Sequence, residues 1–134
     1  MAFLKEGQKC SVLLVDDHEG FRQELRSLLT KHEDIHVIGD VGDGAQALKF
    51  VMSCQPHVVV LDLNMPRMNG IEAAGLIKQS WPEIAIIGLC VMQDSYMMHA
   101  FLRGGATAVI SKSDKTEELP SAIKRACPRN LYTA

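Results

Sequence analysis

Three carboxylates and one amine stand where this chain could do chemistry. Asp16 and Asp17 follow directly on the apolar run Ser11-Val12-Leu13-Leu14-Val15. Asp62 closes the run Val58-Val59-Val60-Leu61, and Lys112 comes just after Thr107-Ala108-Val109-Ile110. Cys90 closes a further run, Ile84 to Leu89. Carboxylates brought to one place repel one another unless a cation sits among them. An oxygen-only set suits a hard divalent ion such as Mg2+, which keeps several waters and accepts one or two carboxylates. Such an ion can hold a phosphoryl donor beside a carboxylate and offset charge on its oxygens. A carboxylate is also a competent nucleophile toward phosphorus, giving an aspartyl-phosphate, and a lysine can pair with the new phosphate. Each residue has a plainer reading too. Asp17 would cap a helix starting near His18 or Glu19. Asp62 would be a turn residue in a stretch holding Asn64, Pro66, Asn69 and Gly70, and Lys112 a solvated loop lysine. Together these plainer readings do not explain why acids end two separate buried strands while a lysine ends a third.

The elements that must position these groups are short and alternate along the chain. Besides the four runs above, Val37-Ile38-Gly39 makes a weaker fifth. Continuous Val- and Ile-rich runs fit strands buried on both faces, as in a parallel sheet. Between them lie helical stripes: Phe21, Leu25, Leu28 and Leu29; then Ala45, Leu48 and Val51 or Met52; then Ile71, Ala74, Ile77 and Lys78. Pro82 should stop the third helix, because a residue before proline avoids the α region. A fourth helix is expected over Tyr96 to Arg103, ended by Gly104-Gly105. A fifth covers about Leu119 to Ala126, its start blurred by Pro120, which has no N–H to donate. Strand–helix alternation repeated five times implies an α/β fold, a parallel sheet with helices on both faces. Sites in such folds lie outside the carboxyl ends of the strands, where the acids, the lysine and Cys90 stand.

Composition is that of an ordinary globular chain. The 134 residues suit one domain spanning 1–134, with its core at about 10–127 and short terminal extensions. Hydrophobic residues make up 47% and charged residues 22%, and the net charge of −2 gives no global pull toward nucleic acid or an acidic membrane. No apolar run approaches the ~20 residues of a membrane span, and Met1 to Gly7 lacks the apolar stretch of a signal peptide. A cytoplasmic protein that binds neither membrane nor nucleic acid is expected. Cys10, Cys54, Cys90 and Cys127 show no C-x-x-C spacing and no paired metal pattern. They are expected to be reduced, mostly buried thiols.

Four stretches together match a known family. They are Val-Leu-Leu-Val-Asp-Asp at 12–17, Asp-Gly-Ala-Gln-Ala-Leu at 43–48, Val-Val-Leu-Asp-Leu-Asn-Met-Pro-Arg-Met-Asn-Gly at 59–70, and Val-Ile-Ser-Lys ending at Lys112. From about Cys10 to Ala126 the chain resembles the receiver domains of two-component response regulators. The resemblance implies a flavodoxin-like, doubly wound five-stranded parallel sheet of order 2-1-3-4-5 with five helices. It implies phosphoryl transfer from a sensor histidine kinase or phosphotransfer protein to Asp62. It implies Mg2+ held by Asp17, Asp62 and the backbone carbonyl of Asn64, with Asp16 assisting, and Lys112 pairing with the phosphate. Self-phosphorylation from small donors and slow self-dephosphorylation would be the limit of its catalysis; it would not be an enzyme in the usual sense. Helix 4, strand 5 and helix 5, or helices 1 and 5, would be the surfaces open to partners or a homodimer. The wording from Asp62 to Ala73 looks like the subgroup joined to helix-turn-helix DNA-binding domains. No such domain is expected within these 134 residues, which fits either a free-standing receiver or a piece of a longer regulator.

Two departures bear on mechanism. The family usually places Thr or Ser where this chain has Cys90, and a thiol is a weaker donor than a hydroxyl. It usually places Tyr or Phe in the fifth strand where this chain has Val109. Those positions move together in the family when phosphate binds, so an altered switch is expected here. Pro120 is a further oddity. One rival reading is a pseudo-receiver, an interaction module that works without phosphorylation. A flavin- or nucleotide-binding protein is opposed by Asp16-Asp17-His18-Glu19, where a phosphate-cradling loop would be needed. An aspartate-based phosphatase would need a second acid at Asn64, which cannot transfer a proton as a carboxylate does. A redox role for Cys90 would need a depressed thiol pKa and exposure.

Overall fold

The apolar runs become five parallel strands. In a computed structural model, β1 is Cys10–Val15, β2 Ile35–Val41, β3 Val58–Asp62, β4 Ala85–Cys90 and β5 Ala108–Ser111. They form one sheet of order β2-β1-β3-β4-β5, the 2-1-3-4-5 arrangement. The helices are α1 Glu19–Thr30, α2 Gly44–Cys54, α3 Gly70–Ser80, α4 Ser95–Arg103 and α5 Leu119–Ala126. A two-stranded antiparallel ribbon pairs Phe3–Leu4 with Tyr132–Thr133. The structure describes residues 3–4, 9–65, 70–90, 95–112, 116–127 and 132–133. Pro66 to Asn69 of the family motif, and Met1 to Gly7 except the two ribbon residues, lie outside them.

Period-two alternation explains how one sheet feeds two cores. Val12 and Leu14 of β1, Val58 and Val60 of β3, and Ile87 and Leu89 of β4 face one side. There they meet Leu25 and Leu29 of α1 and Leu119, Ala122 and Ile123 of α5. Leu13, Val15, Val59, Leu61, Ile86 and Cys90 face the other. There they meet Ala47 and Val51 of α2, Ala73, Ala74 and Ile77 of α3, and Phe101 of α4. β3 and β4 lose all or nearly all solvent contact along their length, as strands covered on both faces must. Burying one leucine such as Leu29 contributes about 2 kcal/mol.

Two glycines let aromatic rings approach the sheet. A Cβ on Gly88 of β4 would lie 2.6 Å from the ring of Phe101, and one on Gly39 of β2 would lie 2.5 Å from the ring of Phe50. Any other residue at either place would have to push the ring aside.

The helix ends follow from local chemistry. Asp43 caps α2 by accepting from the Gln46 N–H at 2.8 Å, while the Gln46 side chain reaches back to the Gly42 N–H at 3.0 Å. α3 ends at Ser80, before Trp81-Pro82, as expected. α4 ends at Gly104-Gly105. Gly105 has φ +111°, and the Ala106 N–H reaches back to the Phe101 carbonyl. Pro120 sits in the first turn of α5, where no intrahelical partner is required of its nitrogen.

Three expectations change. β3, β4 and β5 each run one residue further than the apolar pattern suggests, so Asp62 and Cys90 are terminal strand residues. Asp17 does not cap α1: the cap position is His18, and Asp16 Oδ1 accepts its N–H at 2.8 Å. The cysteines are not all reduced thiols. Cys10 and Cys127, 117 positions apart, are joined in a disulfide, with Cα atoms 6.1 Å apart. Burial at the start of β1 and just after α5 brings together two thiols that sequence spacing could not pair. Cys54 is free and exposed, while Cys90 is buried and outside any disulfide.

Candidate functional site

Parallel strands put all five carboxyl ends at one edge, so Asp16, Asp17, Asp62, Cys90 and Lys112 arrive together without any long-range instruction. The decisive member is Lys112, held by its backbone N–H on the Cys90 carbonyl at 2.8 Å. Its Nζ reaches across β4 and β3 to lie 2.7 Å from Asp16 Oδ2 and 3.4 Å from Asp62 Oδ2. The ammonium also lies 4.6 Å from the centroid of the Phe21 ring, a favourable cation–π approach.

The two paired aspartates are buried, each 1% exposed. Asp62 Oδ1 accepts from the Asn64 N–H at 3.0 Å, leaving Oδ2 to face the lysine. Burial pushes the Asp62 carboxyl above the usual carboxylate range. The Asn64 hydrogen bond opposes that shift, the Asp16 charge adds to it, and Lys112 opposes it without cancelling it. For Lys112, burial works to lower the ammonium's pKa. The hydrogen bond to Asp16 and the charges of Asp62 and Asp16 outweigh burial and raise it. The lysine is therefore a fixed cation.

Asp17 is placed differently from its neighbour. It is exposed, and its Oδ1 lies 3.4 Å from His18 Nδ1. Asp16, Asp17 and His18 each bring a ligand atom within 4.8 Å of one another. Asp16 Oδ2 is buried and, among the described residues, makes no well-directed hydrogen bond besides its ion pair. A buried carboxylate oxygen with spare acceptor capacity, beside a second carboxylate open to water, suits a hard divalent cation.

Cys90 is buried on the α2–α4 side of the sheet, with Val109 packed against the same core. Neither offers a hydroxyl to the site.

Sequence reasoning missed the second layer. Arg22 donates from Nη1 to the Asp16 carbonyl and from Nε to Asp40 Oδ1 at 2.9 Å, and Arg26 joins Asp40 at 3.3 Å. These contacts hold the loop after β1 against the end of β2. No motif signals them, because they exist only once α1 packs beside β2. Phe21 was legible as a helix-stripe residue, but not as the floor beneath Lys112.

The model for the response regulator receiver domain matches residues 12–124. The chain belongs to this family. It is 32% identical over 125 residues to the transcriptional regulatory protein DegU of Brevibacillus brevis, covering 92% of this chain and 52% of that protein. It is 35% identical over 115 residues to the transcriptional regulatory protein LiaR of Bacillus subtilis, covering 86% of this chain and 54% of that one. The chain thus spans about half the length of these curated relatives. Among solved structures, it superposes on the response regulator domain of Thermotoga maritima CheB with a TM-score of 0.82 at 28% identity, covering 89% of this chain and 96% of that one. A LuxR-family two-component response regulator from Aurantimonas gives 0.83 at 29% identity, covering 88% and 84%. The strand order, the helices and the family are those that the sequence resembles. This receiver domain has no helix, among its described residues, long and apolar enough to cross a membrane.

Proposed function

We propose that this receiver domain takes a phosphoryl group onto Asp62 from the phosphohistidine of a sensor kinase or phosphotransfer protein. The observation that carries the reading is the buried Asp62 carboxylate with its Oδ2 3.4 Å from a lysine that is itself paired to Asp16. A carboxylate oxygen of Asp62 attacks phosphorus as the bond from phosphorus to the donor imidazole nitrogen breaks. The imidazole leaves with the electron pair and takes a proton from water. Lys112 pairs with a phosphoryl oxygen, and the Asn64 N–H keeps the other Asp62 oxygen in place. Asp16, Asp17, Asp62 and the Asn64 carbonyl are the groups that would hold Mg2+. That ion, when bound, offsets the negative charge gathered between acids and phosphate.

The reading supports a signalling role rather than turnover. Asn64 stands two residues after the acceptor, and no carboxylate there can serve as acid or base for rapid hydrolysis. Residues 10–127 act as one cytoplasmic receiver unit. The relatives' names point to transcriptional control as the output, exerted through other parts of a regulator or through a partner. Exposed Tyr96 and Leu102 on α4 favour that helix as part of a contact surface. Cys90 and Val109 in the switch positions favour a second reading, an interaction module that works without phosphate.

The test is incubation with Mg2+ and acetyl phosphate, followed by intact mass spectrometry, with Asp62→Asn alongside. A gain of one phosphoryl group, absent in the variant and without metal, supports the acceptor reading. No gain, with a histidine kinase also failing to load the chain, favours the phosphate-independent module.

A further inference from the structure

The edge of the sheet opposite Asp62 carries a second chemical feature. Cys10 opens β1 and Cys127 follows α5, and the bond between them lies at the amino ends of the strands. Both residues are buried, Cys10 at 0% and Cys127 at 5% exposure. A domain of this length with two filled cores does not need a staple to fold, so the bond calls for another purpose.

We propose that Cys10 and Cys127 form a reversible thiol–disulfide site. Oxidation clamps the end of α5 and the terminal ribbon onto β1, and reduction releases them. The ribbon shows why the bond matters. It consists of two residue pairs, Phe3 with Thr133 and Leu4 with Tyr132, far fewer than a freestanding ribbon needs. Leu4 precedes Cys10 by six positions and Tyr132 follows Cys127 by five. The bond therefore turns a pairing between the chain's two ends into a local one. Lys124 also ties the end of α5, its Nζ lying 3.5 Å from Asp34 Oδ1 and 3.3 Å from His32 Nδ1.

The exchange balances with a small-molecule thiol and its disulfide as the redox couple. A thiolate attacks the less buried Cys127 sulfur, and Cys10 leaves with the electron pair. A second thiolate then attacks the outer sulfur of the mixed disulfide. Two thiols become one disulfide, and their two protons end on Cys10 and Cys127. The reverse direction closes the bond at the expense of a small-molecule disulfide. A ring nitrogen of His57 lies within 4.8 Å of both sulfurs, so the released thiolate meets a polar neighbour in an otherwise apolar setting. His57 is itself held by Ser11, whose N–H donates to its Nδ1 at 3.0 Å. Cys10, Cys127 and His57 could alternatively serve as ligands for zinc. A metal would need both sulfurs free as thiolates, however, whereas here they are bonded to each other.

The test treats the whole chain with oxidised glutathione and then with excess dithiothreitol, and alkylates it under denaturing, acid-quenched conditions. The oxidised chain should be two hydrogens lighter and label only at Cys54 and Cys90; the reduced chain should label at all four cysteines. On reduction, amide exchange in the terminal segments should rise at least tenfold while β1 to β5 stay protected. The midpoint of thermal unfolding should fall by on the order of 10 °C. Cys10→Ser and Cys127→Ala should each behave as reduced wild type in both reductant states, and Cys54→Ser as wild type. Lys124→Ala should speed reduction several-fold. Four labelled thiols after oxidised glutathione would overturn the proposal. So would terminal amides indifferent to dithiothreitol in the wild-type chain, which needs no variant to fold. One zinc ion retained per chain in native mass spectrometry by the wild type, and lost in Cys10→Ser, would overturn it as well.

Discussion

Replacing Lys112 with methionine keeps a stem of similar length over Phe21 but removes the cation shared by Asp16 and Asp62. At an effective dielectric of about 20, charges 2.7 Å and 3.4 Å apart attract by about 6 and 5 kcal/mol. Much of that gross attraction is spent on desolvation in the wild type. The side chains of Asp16, Asp62 and Lys112 are only 1%, 2% and 11% exposed. Truncating one partner of so buried a set leaves two like charges facing each other, which destabilises by roughly 3–5 kcal/mol. In urea titrations at pH 7 the Lys112→Met midpoint should fall accordingly, with a drop of about 15 °C in thermal midpoint. The sign with pH follows from linkage. Removing the amine takes away a charge that holds the Asp62 carboxyl down, so its folded-state pKa rises further and its ionisation opposes folding above the ordinary carboxylate value of about 4. The deficit should be small in acid and grow as pH rises. Adding Asp16→Asn should recover part of the loss, because it removes one of the two stranded charges. A deficit under ~1 kcal/mol, or no recovery in the double variant, would refute the idea that Lys112 neutralises a buried acid pair.

Three further outcomes are expected. Because the folded-state pKa of Asp62 is raised, its ionised form opposes folding at neutral pH. Asp62→Asn should stabilise the metal-free chain by about 1 kcal/mol at pH 7, the gain disappearing as pH falls below the ordinary carboxylate value; calorimetry across pH checks it. Cys90→Thr places a hydroxyl at the end of β4 and should enlarge any shape change or self-association induced by phosphorylation, read by scattering with and without acetyl phosphate. No change would remove the case that the thiol weakens the switch. Gly70→Ala would set a Cβ against the Asp62 carbonyl oxygen and 2.7 Å from Leu63 Cα. With only backbone to yield, the variant should lose about 3 kcal/mol and load phosphate poorly.

How much of this was legible depended on whether the signal was local. The strand runs, the α1 stripe and the breaks at Pro82 and Gly104-Gly105 are written in contiguous residues, and each element lies within a residue or two of where its pattern predicts. The position of the acids was legible for the same reason: a parallel sheet gathers strand ends, so residues following a run share an edge. Asp17 shows the limit. Sequence places it beside Asp16, but not which of the two turns inward; the His18 N–H bonded to Asp16 Oδ1 settles that. Arg22, Asp40 and Phe21 carry no pattern of their own, since their roles arise from α1 packing beside β2. The Cys10–Cys127 bond was the least legible of all. Spacing rules recognise pairs close in sequence, and these two meet only after the whole fold is complete.

The notch at Gly88 has a mechanical meaning. The Phe101 ring of α4 rests against bare backbone there, two residues from the end of β4. A ring seated in such a socket resists sliding along the strand, because either neighbouring position carries a side chain. It does not resist turning. A turn of α4 about Phe101 would carry exposed Tyr96, five residues away, much further than Leu102, which adjoins the ring.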